Sequence, residues 1–129
     1  MTNDKFPNNY DLEERTATFG ENIIQFCRNV KRDPIVLPLL IQLIRSATSI
    51  GANYMEANGA SSPKDFANKI YICKKEAQES KHWLRMLASY YPENKKELGR
   101  HWKESQEFVL IFHKIVTTLK TKNSLKILK

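Results

Sequence analysis

The chain has 129 residues, which suits one domain with a buried core. Hydrophobic residues make up 41% and charged residues 27%, while four Gly and five Pro leave few turn positions, so the composition favours an all-helical soluble protein. The longest apolar run, 108–112, is too short to cross a membrane, and residues 1–9 lack the charged-then-apolar order of a signal peptide, so we expect a cytoplasmic protein.

The positive charge is concentrated towards the C-terminus. Residues 95–129 hold nine Lys or Arg and three Glu, a net of +6 out of the total of +7. Such a basic segment predicts an anionic partner, with nucleic acid first and a membrane surface second. Ordinary solubility is the alternative explanation.

Two helices are predicted in the first half of the chain. Residues 1–9 are polar and contain Pro7, so we expect them to be disordered. The first helix spans about 10–30 and ends at a break in which Asp33 is a suitable N-cap. The second helix spans about 35–58. Apolar or small residues at alternating steps of four and three predict the buried face of each helix: Leu12, Thr16, Phe19, Ile23, Phe26 and Val30 in the first, and Leu37, Ile41, Ile44, Thr48, Gly51 and Met55 in the second.

The second helix contains a run of small residues from Ser46 to Ala52. A glycine inside a helix costs about 1 kcal/mol relative to alanine, so Gly51 needs a compensating role. Ala47 lies one turn before it, and small residues at this spacing let another helix approach closely. We therefore expect a close helix crossing here rather than a ligand notch.

Two more helices are predicted after the break at 59–62. Ser62 as N-cap and Pro63 at the first position begin a helix over about 63–91. The fourth spans about 94–120, with its first turns weakened by Gly99, and residues 121–129 form a basic, flexible tail. The predicted buried faces are Phe66, Ile70, Cys73, Ala77, Ser80, Leu84, Leu87 and Tyr91 in the third helix, and Leu98, Trp102, Ser105, Val109, Phe112, Val116 and Leu119 in the fourth.

The four helices share a seven-residue apolar repeat and are joined by short connections. This combination predicts an all-α fold, an antiparallel up-down-up-down left-handed four-helix bundle over residues 10–120. Cys27 and Cys73 lie on the apolar faces, and we expect reduced core thiols rather than a disulfide.

The third helix has two further faces. On one flank, apolar and acidic residues recur at alternating steps of four and three and form a ladder along the helix. A monomeric bundle would leave Trp83, Met86 and Tyr90 of this ladder largely exposed, which indicates a subunit interface. The alternative is that long side chains cover the edge of the bundle. The predicted interface residues are Ile72, Glu76, Glu79, Trp83, Met86 and Tyr90.

The opposite flank of the third helix is basic and contains no carboxylate. Tyr71 and Gln78 lie among its cations, and a looser basic arc, interrupted by Glu107, follows on the fourth helix. Segregated positive charge of this kind is suited to phosphate contacts, with a solvated surface as the alternative. The predicted nucleic-acid-binding residues are Lys64, Lys74, Lys75, Lys81, His82, Arg85, Lys96, Arg100 and Lys103.

Catalytic and metal-binding motifs are missing from the sequence. The pair Glu79 and His82 matches a Glu-x-x-His metal motif once, but a di-metal bundle requires a second pair. There is no Cys-x-x-Cys, no glycine-rich phosphate loop and no His-Glu-x-x-His. We predict no catalytic residue, no cofactor and no metal, and thus no enzyme.

Several of these residues carry a family resemblance. The segment 45–53 (RSATSIGAN) resembles the four-helix bundle family of 23S rRNA intervening-sequence proteins. So do Glu56-Ala57, Asp65-Phe66, Lys69, the pattern Lys75-Glu76-Ala77-x-Glu79 and the pair Trp83-Leu84. These are small bacterial proteins, similar to the accessory variability protein of diversity-generating retroelements. The resemblance spans about 10–120 and implies a homopentamer with a basic surface for RNA or DNA and no catalytic residue. For the retroelement relative it implies a reverse transcriptase partner.

Two hypotheses of function follow. The first is a non-enzymatic, homo-oligomeric bundle that binds nucleic acid through its basic surface. The second is a protein-interaction scaffold that recruits a partner such as a reverse transcriptase without contacting nucleic acid.

Overall fold

The computed structural model describes residues 9–128, and side chains from 12 to 122. This part of the chain contains four α-helices and no strand, which confirms the all-α class. Residues 1–8 of the segment 1–9, which was predicted to be disordered, lie outside the described residues. Between 9 and 128, none of the helices combines the length and apolar character needed to cross a bilayer. The helices are α1 (Asn9–Asn29), α2 (Leu37–Asn58), α3 (Pro63–Tyr90) and α4 (Lys95–Leu128).

Local capping signals explain where the helices begin. The Ser62 hydroxyl accepts the N–H of Asp65 at 3.0 Å, and Pro63 follows at the first position of α3, as predicted. Asp33 accepts two backbone N–H groups, those of Ile35 and Val36, but it caps a turn that precedes α2. Because residues 34–36 form that turn, α2 begins two residues later than predicted.

The fourth helix is longer than the sequence analysis predicted. It is helical from Lys95 onwards, so Gly99 does not interrupt its first turns. It also continues to Leu128, through the segment predicted as a loose tail. Residues 121–128 contain neither Pro nor Gly, and thus no strong helix breaker.

The buried faces of α1, α3 and α4 largely follow the predicted spacing. The exceptions lie in α4, where Phe108 is fully buried and packs edge-on against Phe19 with ring centroids 5.5 Å apart. Trp102, a predicted core residue, is 38% exposed. Predicted core residues that are buried include Leu12, Thr16, Phe19, Ile23 and Phe26 in α1, Ile70, Cys73, Ala77, Ser80, Leu84 and Leu87 in α3, and Leu98, Ser105, Val109, Phe112 and Val116 in α4.

The predicted buried face of α2 is wrong. Leu37, Ile41 and Met55 are 44%, 55% and 62% exposed. The residues that α2 buries in the core are Leu40, Leu43, Ser46, Ala47, Ile50, Tyr54 and Ala57. Both sets follow the same steps of three and four, because α2 is apolar on two faces. Periodicity alone therefore could not decide which face the neighbouring helices cover.

Neighbouring helices meet in the order α1–α2–α3–α4. At each meeting, contacts further along one helix lie earlier along the other, which is the relation that antiparallel neighbours show. The handedness of the supercoil stays a prediction. Between α1 and α2, Thr16 meets Gly51 and Gly20 meets Thr48. Between α2 and α3, Arg45 pairs with Glu79 and Glu56 with Lys69. Between α3 and α4, Lys74 lies beside His113 and Lys81 beside Gln106.

Two glycines bring α1 and α2 close together. A Cβ placed on Gly51 would lie 3.2 Å from the hydroxyl oxygen of Thr16, and one on Gly20 would lie 3.5 Å from Thr48 Cγ2. The Thr16 hydroxyl is itself fixed, since it donates to the carbonyl of Leu12 at 2.7 Å and is buried. The predicted close crossing at Gly51 is confirmed, and Gly20 contributes from the other helix.

Candidate nucleic-acid interface

Two lysines of α3 extend towards α4. The Lys74 ammonium lies 3.1 Å from His113 Nδ1, and the Lys81 ammonium donates to the side-chain oxygen of Gln106. The two lysines are seven residues apart, so helical geometry places them on the same side of α3. They form a row of positive charge along the junction of α3 and α4.

Each of these lysines also lies over an aromatic ring. The Lys81 nitrogen is 4.7 Å from the centroid of Trp102, and the Lys74 nitrogen is 5.9 Å from that of Tyr71. Both distances fall within the range of cation–π attraction. Tyr71 is 50% exposed and Trp102 is 38% exposed, so solvent reaches both rings.

We call this surface the α3/α4 face. None of its members is a carboxylate, and Glu107, which is exposed on α4 directly after Gln106, lies at its edge. Lys75, His82 and Arg85 are exposed on its outer part. The face consists of Tyr71, Lys74, Lys75, Gln78, Lys81, His82 and Arg85 on α3 and of Trp102, Gln106 and His113 on α4.

Four other predicted binding residues lie outside this face. Lys64 is exposed at the start of α3, two turns before Tyr71 on the same side. Arg100, however, lines a cleft between α1 and α4. Lys96 is one turn before Arg100, on that same side of the helix. Lys103 follows Lys96 by seven residues and shares its side of α4, so Lys96, Arg100 and Lys103 lie apart from the lysines of α3.

The cleft between α1 and α4 measures about 450 Å³ and holds a charged pair. Arg15 and Glu104 form two parallel hydrogen bonds of 2.7 Å each. His101 lines the same cleft with its side chain 14% exposed, and its ring packs edge-on against Phe19 and Phe26. Burial lowers the pKa of His101, so this imidazole is neutral at pH 7.

The predicted interface ladder on α3 lies along α2. The Arg45 guanidinium pairs with Glu76 at 3.4 Å and with Glu79, and the indole N–H of Trp83 donates to Glu79 at 3.1 Å. Trp83 and Met86 are half-buried within the single chain, which corrects the expectation that both would be largely exposed. The role of the ladder as a subunit interface stays a prediction.

A more exposed apolar surface lies between α1 and α2. Its groove of about 340 Å³ has Gly20 and Gly51 among its lining residues and carries Glu13 and Glu21. Ile24, Ile41 and Met55 are 39%, 55% and 62% exposed around it. The outer stripe of α2 contains no charged residue: Leu37, Ile41, Ile44, Thr48, Gly51, Ala52 and Met55. We call this surface the α1/α2 face.

Together, fold and surfaces define a small helical-bundle protein with one cationic face and one apolar face. The model of the 23S rRNA-intervening sequence protein family matches residues 8–110, and the chain belongs to this family. A crystal structure of similar fold is that of a protein with unknown function from the S23 ribosomal protein family of Bacteroides thetaiotaomicron VPI-5482. It is 28% identical, with a TM-score of 0.74 over 81% of this chain and 97% of that one. No curated protein matches the chain.

Proposed function

We propose that the protein is a cytoplasmic, non-enzymatic accessory protein that binds nucleic acid through the α3/α4 face. The observation that carries this proposal is the row of Lys74 and Lys81 beside exposed Tyr71 and Trp102, on a face without a carboxylate. Ammonium groups neutralise phosphates and release counterions, while aromatic rings and amides offer contacts to bases. The family name refers to 23S rRNA, so RNA is the first nucleic acid to test.

The test compares two pairs of lost positive charges. Lys74→Gln with Lys81→Gln removes two charges from the face, whereas Lys96→Gln with Arg100→Gln removes two from elsewhere. In fluorescence anisotropy with labelled RNA and DNA between 50 and 200 mM salt, the first pair should lower the slope of log affinity against log salt by roughly 1.5 to 2. The control pair should leave the slope close to the wild-type value. Equal effects of both pairs, or binding that does not respond to salt, would contradict the proposal.

We further propose that the protein assembles with copies of itself through the α1/α2 face. The apolar groove with Glu13 and Glu21 complements Leu110 on α4, which is 52% exposed, with Lys103 two turns before it and Lys114 one turn after it. Such a contact joins two different surfaces, and repeated contacts of this kind form a ring when the rotation between neighbouring copies closes. A homopentamer, the state that the family resemblance implies, would repeat the α3/α4 face five times.

Light scattering distinguishes the two candidate interfaces. Ile41→Glu with Met55→Glu places two charges on the α1/α2 face at exposed positions, and should reduce the mass from several chains to one. Trp83→Glu tests the α3 ladder in the same way, and Gln25→Glu is a control at an exposed position of α1. Loss of assembly with Trp83→Glu alone would assign the interface to the α3 ladder. If the wild-type protein is a monomer, both candidate interfaces are refuted.

The scaffold hypothesis gives a different result in a pull-down. If the basic charge recruits a partner protein such as a reverse transcriptase, capture should survive nuclease treatment, and purified protein should bind neither RNA nor DNA. The proposed nucleic-acid function predicts the opposite on both counts.

A further inference from the structure

We infer that the α3/α4 face binds single-stranded rather than duplex nucleic acid, with bases stacked on Tyr71 and Trp102. This inference rests on the proposed function and specifies its ligand. Both rings are substantially exposed on a basic face, at 50% and 38%. Base–aromatic stacking is the contact that single-strand-binding proteins combine with a positively charged surface.

The pairing of each ring with a lysine matches the two parts of a nucleotide. Lys74 lies over Tyr71 and Lys81 over Trp102, with nitrogen-to-centroid distances of 5.9 and 4.7 Å. A base stacked on the exposed side of a ring would leave its own phosphate within reach of the adjacent ammonium. A lysine beside an exposed ring occurs twice on the face, once within α3 and once between α3 and α4, which provides two positions for one strand.

The shape of the face excludes insertion into the major groove of a duplex. The major groove of B-DNA is about 12 Å wide and admits one α-helix. Here α3 is packed between α2 and α4, and two adjacent helices, each about 10 Å across with side chains, are too wide to enter that groove. A duplex also keeps the flat surfaces of its bases stacked on one another, so it would meet the lysines but not use the rings.

The distance between the rings sets the length of strand. Tyr71 precedes Lys81 by ten residues, which is about 15 Å along the helix axis, and Lys81 contacts Trp102. A strand that contacts both rings therefore extends over about 15 Å along α3. Lys74, Gln78 and Arg85 lie along the same line and can contact the backbone of the strand.

Tryptophan fluorescence tests the stacking directly. Trp83 and Trp102 are the two tryptophans of the chain, so Trp83→Phe leaves Trp102 as the reporter. Addition of an eight-nucleotide oligo(U) should quench this fluorescence to saturation. An RNA hairpin with a long base-paired stem, compared at the same total phosphate concentration, should bind more weakly and leave the emission nearly unchanged.

Aromatic variants separate stacking from charge. Tyr71→Leu and Trp102→Leu should each weaken oligo(U) binding by about 5- to 100-fold, with the salt slope and hairpin affinity unchanged. Trp102→Phe should retain most of the affinity because the ring is kept. Lys74→Gln should instead lower the salt slope. Thermal unfolding of each variant confirms that it is folded.

The outcomes distinguish the inference from the function on which it rests. If the hairpin binds as tightly as oligo(U) and the aromatic variants change neither, the inference is overturned while nucleic-acid binding stands. If neither these RNAs nor the corresponding DNAs bind, the inference and the proposed function both fail.

Discussion

The close approach of α1 and α2 at Gly51 makes a quantitative prediction about stability. Replacing a helical glycine with alanine should add about 1 kcal/mol through helix propensity. At Gly51 the new Cβ would lie 3.2 Å from the Thr16 hydroxyl, which is held by its hydrogen bond to Leu12. Overpacking of a core typically costs about 1–3 kcal/mol. Gly51→Ala should therefore leave the unfolding free energy between unchanged and about 2 kcal/mol lower.

Two other positions provide matched controls. A Cβ on Gly99 would meet no atom of the described chain within 4 Å, and one on Gly20 would make ordinary contact at 3.5 Å. Gly99→Ala and Gly20→Ala should each stabilise the protein by about 1 kcal/mol, or roughly 3–5 °C in Tm for a domain of this size. These two controls measure the gain in helix propensity alone, so their difference from Gly51→Ala gives the cost of steric crowding at Gly51.

A double-mutant cycle assigns the crowding to one side chain. In a Thr16→Ala background the hydroxyl is gone, so Gly51→Ala should regain the propensity gain of about 1 kcal/mol. Urea denaturation of the four proteins in the cycle gives the coupling energy. If Gly51→Ala stabilises the wild-type chain as much as Gly99→Ala does, the helices are not in limiting contact at this position and the reasoning is refuted.

Three further predictions follow from buried polar groups. Ser46 and Ser80 share a hydrogen bond of 2.9 Å in the core, so urea denaturation should show Ser80→Ala costing about 1 kcal/mol, and the double alanine variant should cost less than the sum of the two single variants. Burial lowers the pKa of His101 below 6.5, so the imidazole takes up a proton more readily in the unfolded chain than in the folded one. The unfolding free energy should therefore fall as the pH drops below about 6.5. His101→Gln should flatten this dependence, and an unchanged pH profile in that variant would contradict the assignment. Burial raises the pKa of Cys27 to about 11 and of Cys73 to about 12, so a thiol reagent at pH 8 should label neither until the protein unfolds.

The candidate site was predicted in part. The carboxylate-free basic flank of α3 could be found from the sequence, because all its members lie on one helix and helical geometry fixes which residues share a side. The partners on α4 could not, since they depend on how two helices pack. Trp102 illustrates this: its spacing predicted a core position, whereas the structure leaves it 38% exposed beside Lys81.

The sequence by itself determined the class of fold and most helix boundaries. Signals such as Ser62 before Pro63 act within one turn, so no distant residue is needed to interpret them. The tertiary structure decided which side of α2 is buried. That helix has two apolar stripes of equal period, and Leu43 is buried while Ile41 is 55% exposed because α1 and α3 cover one stripe and leave the other to solvent. Burial depends on neighbours, and a single helix carries no record of where its neighbours lie.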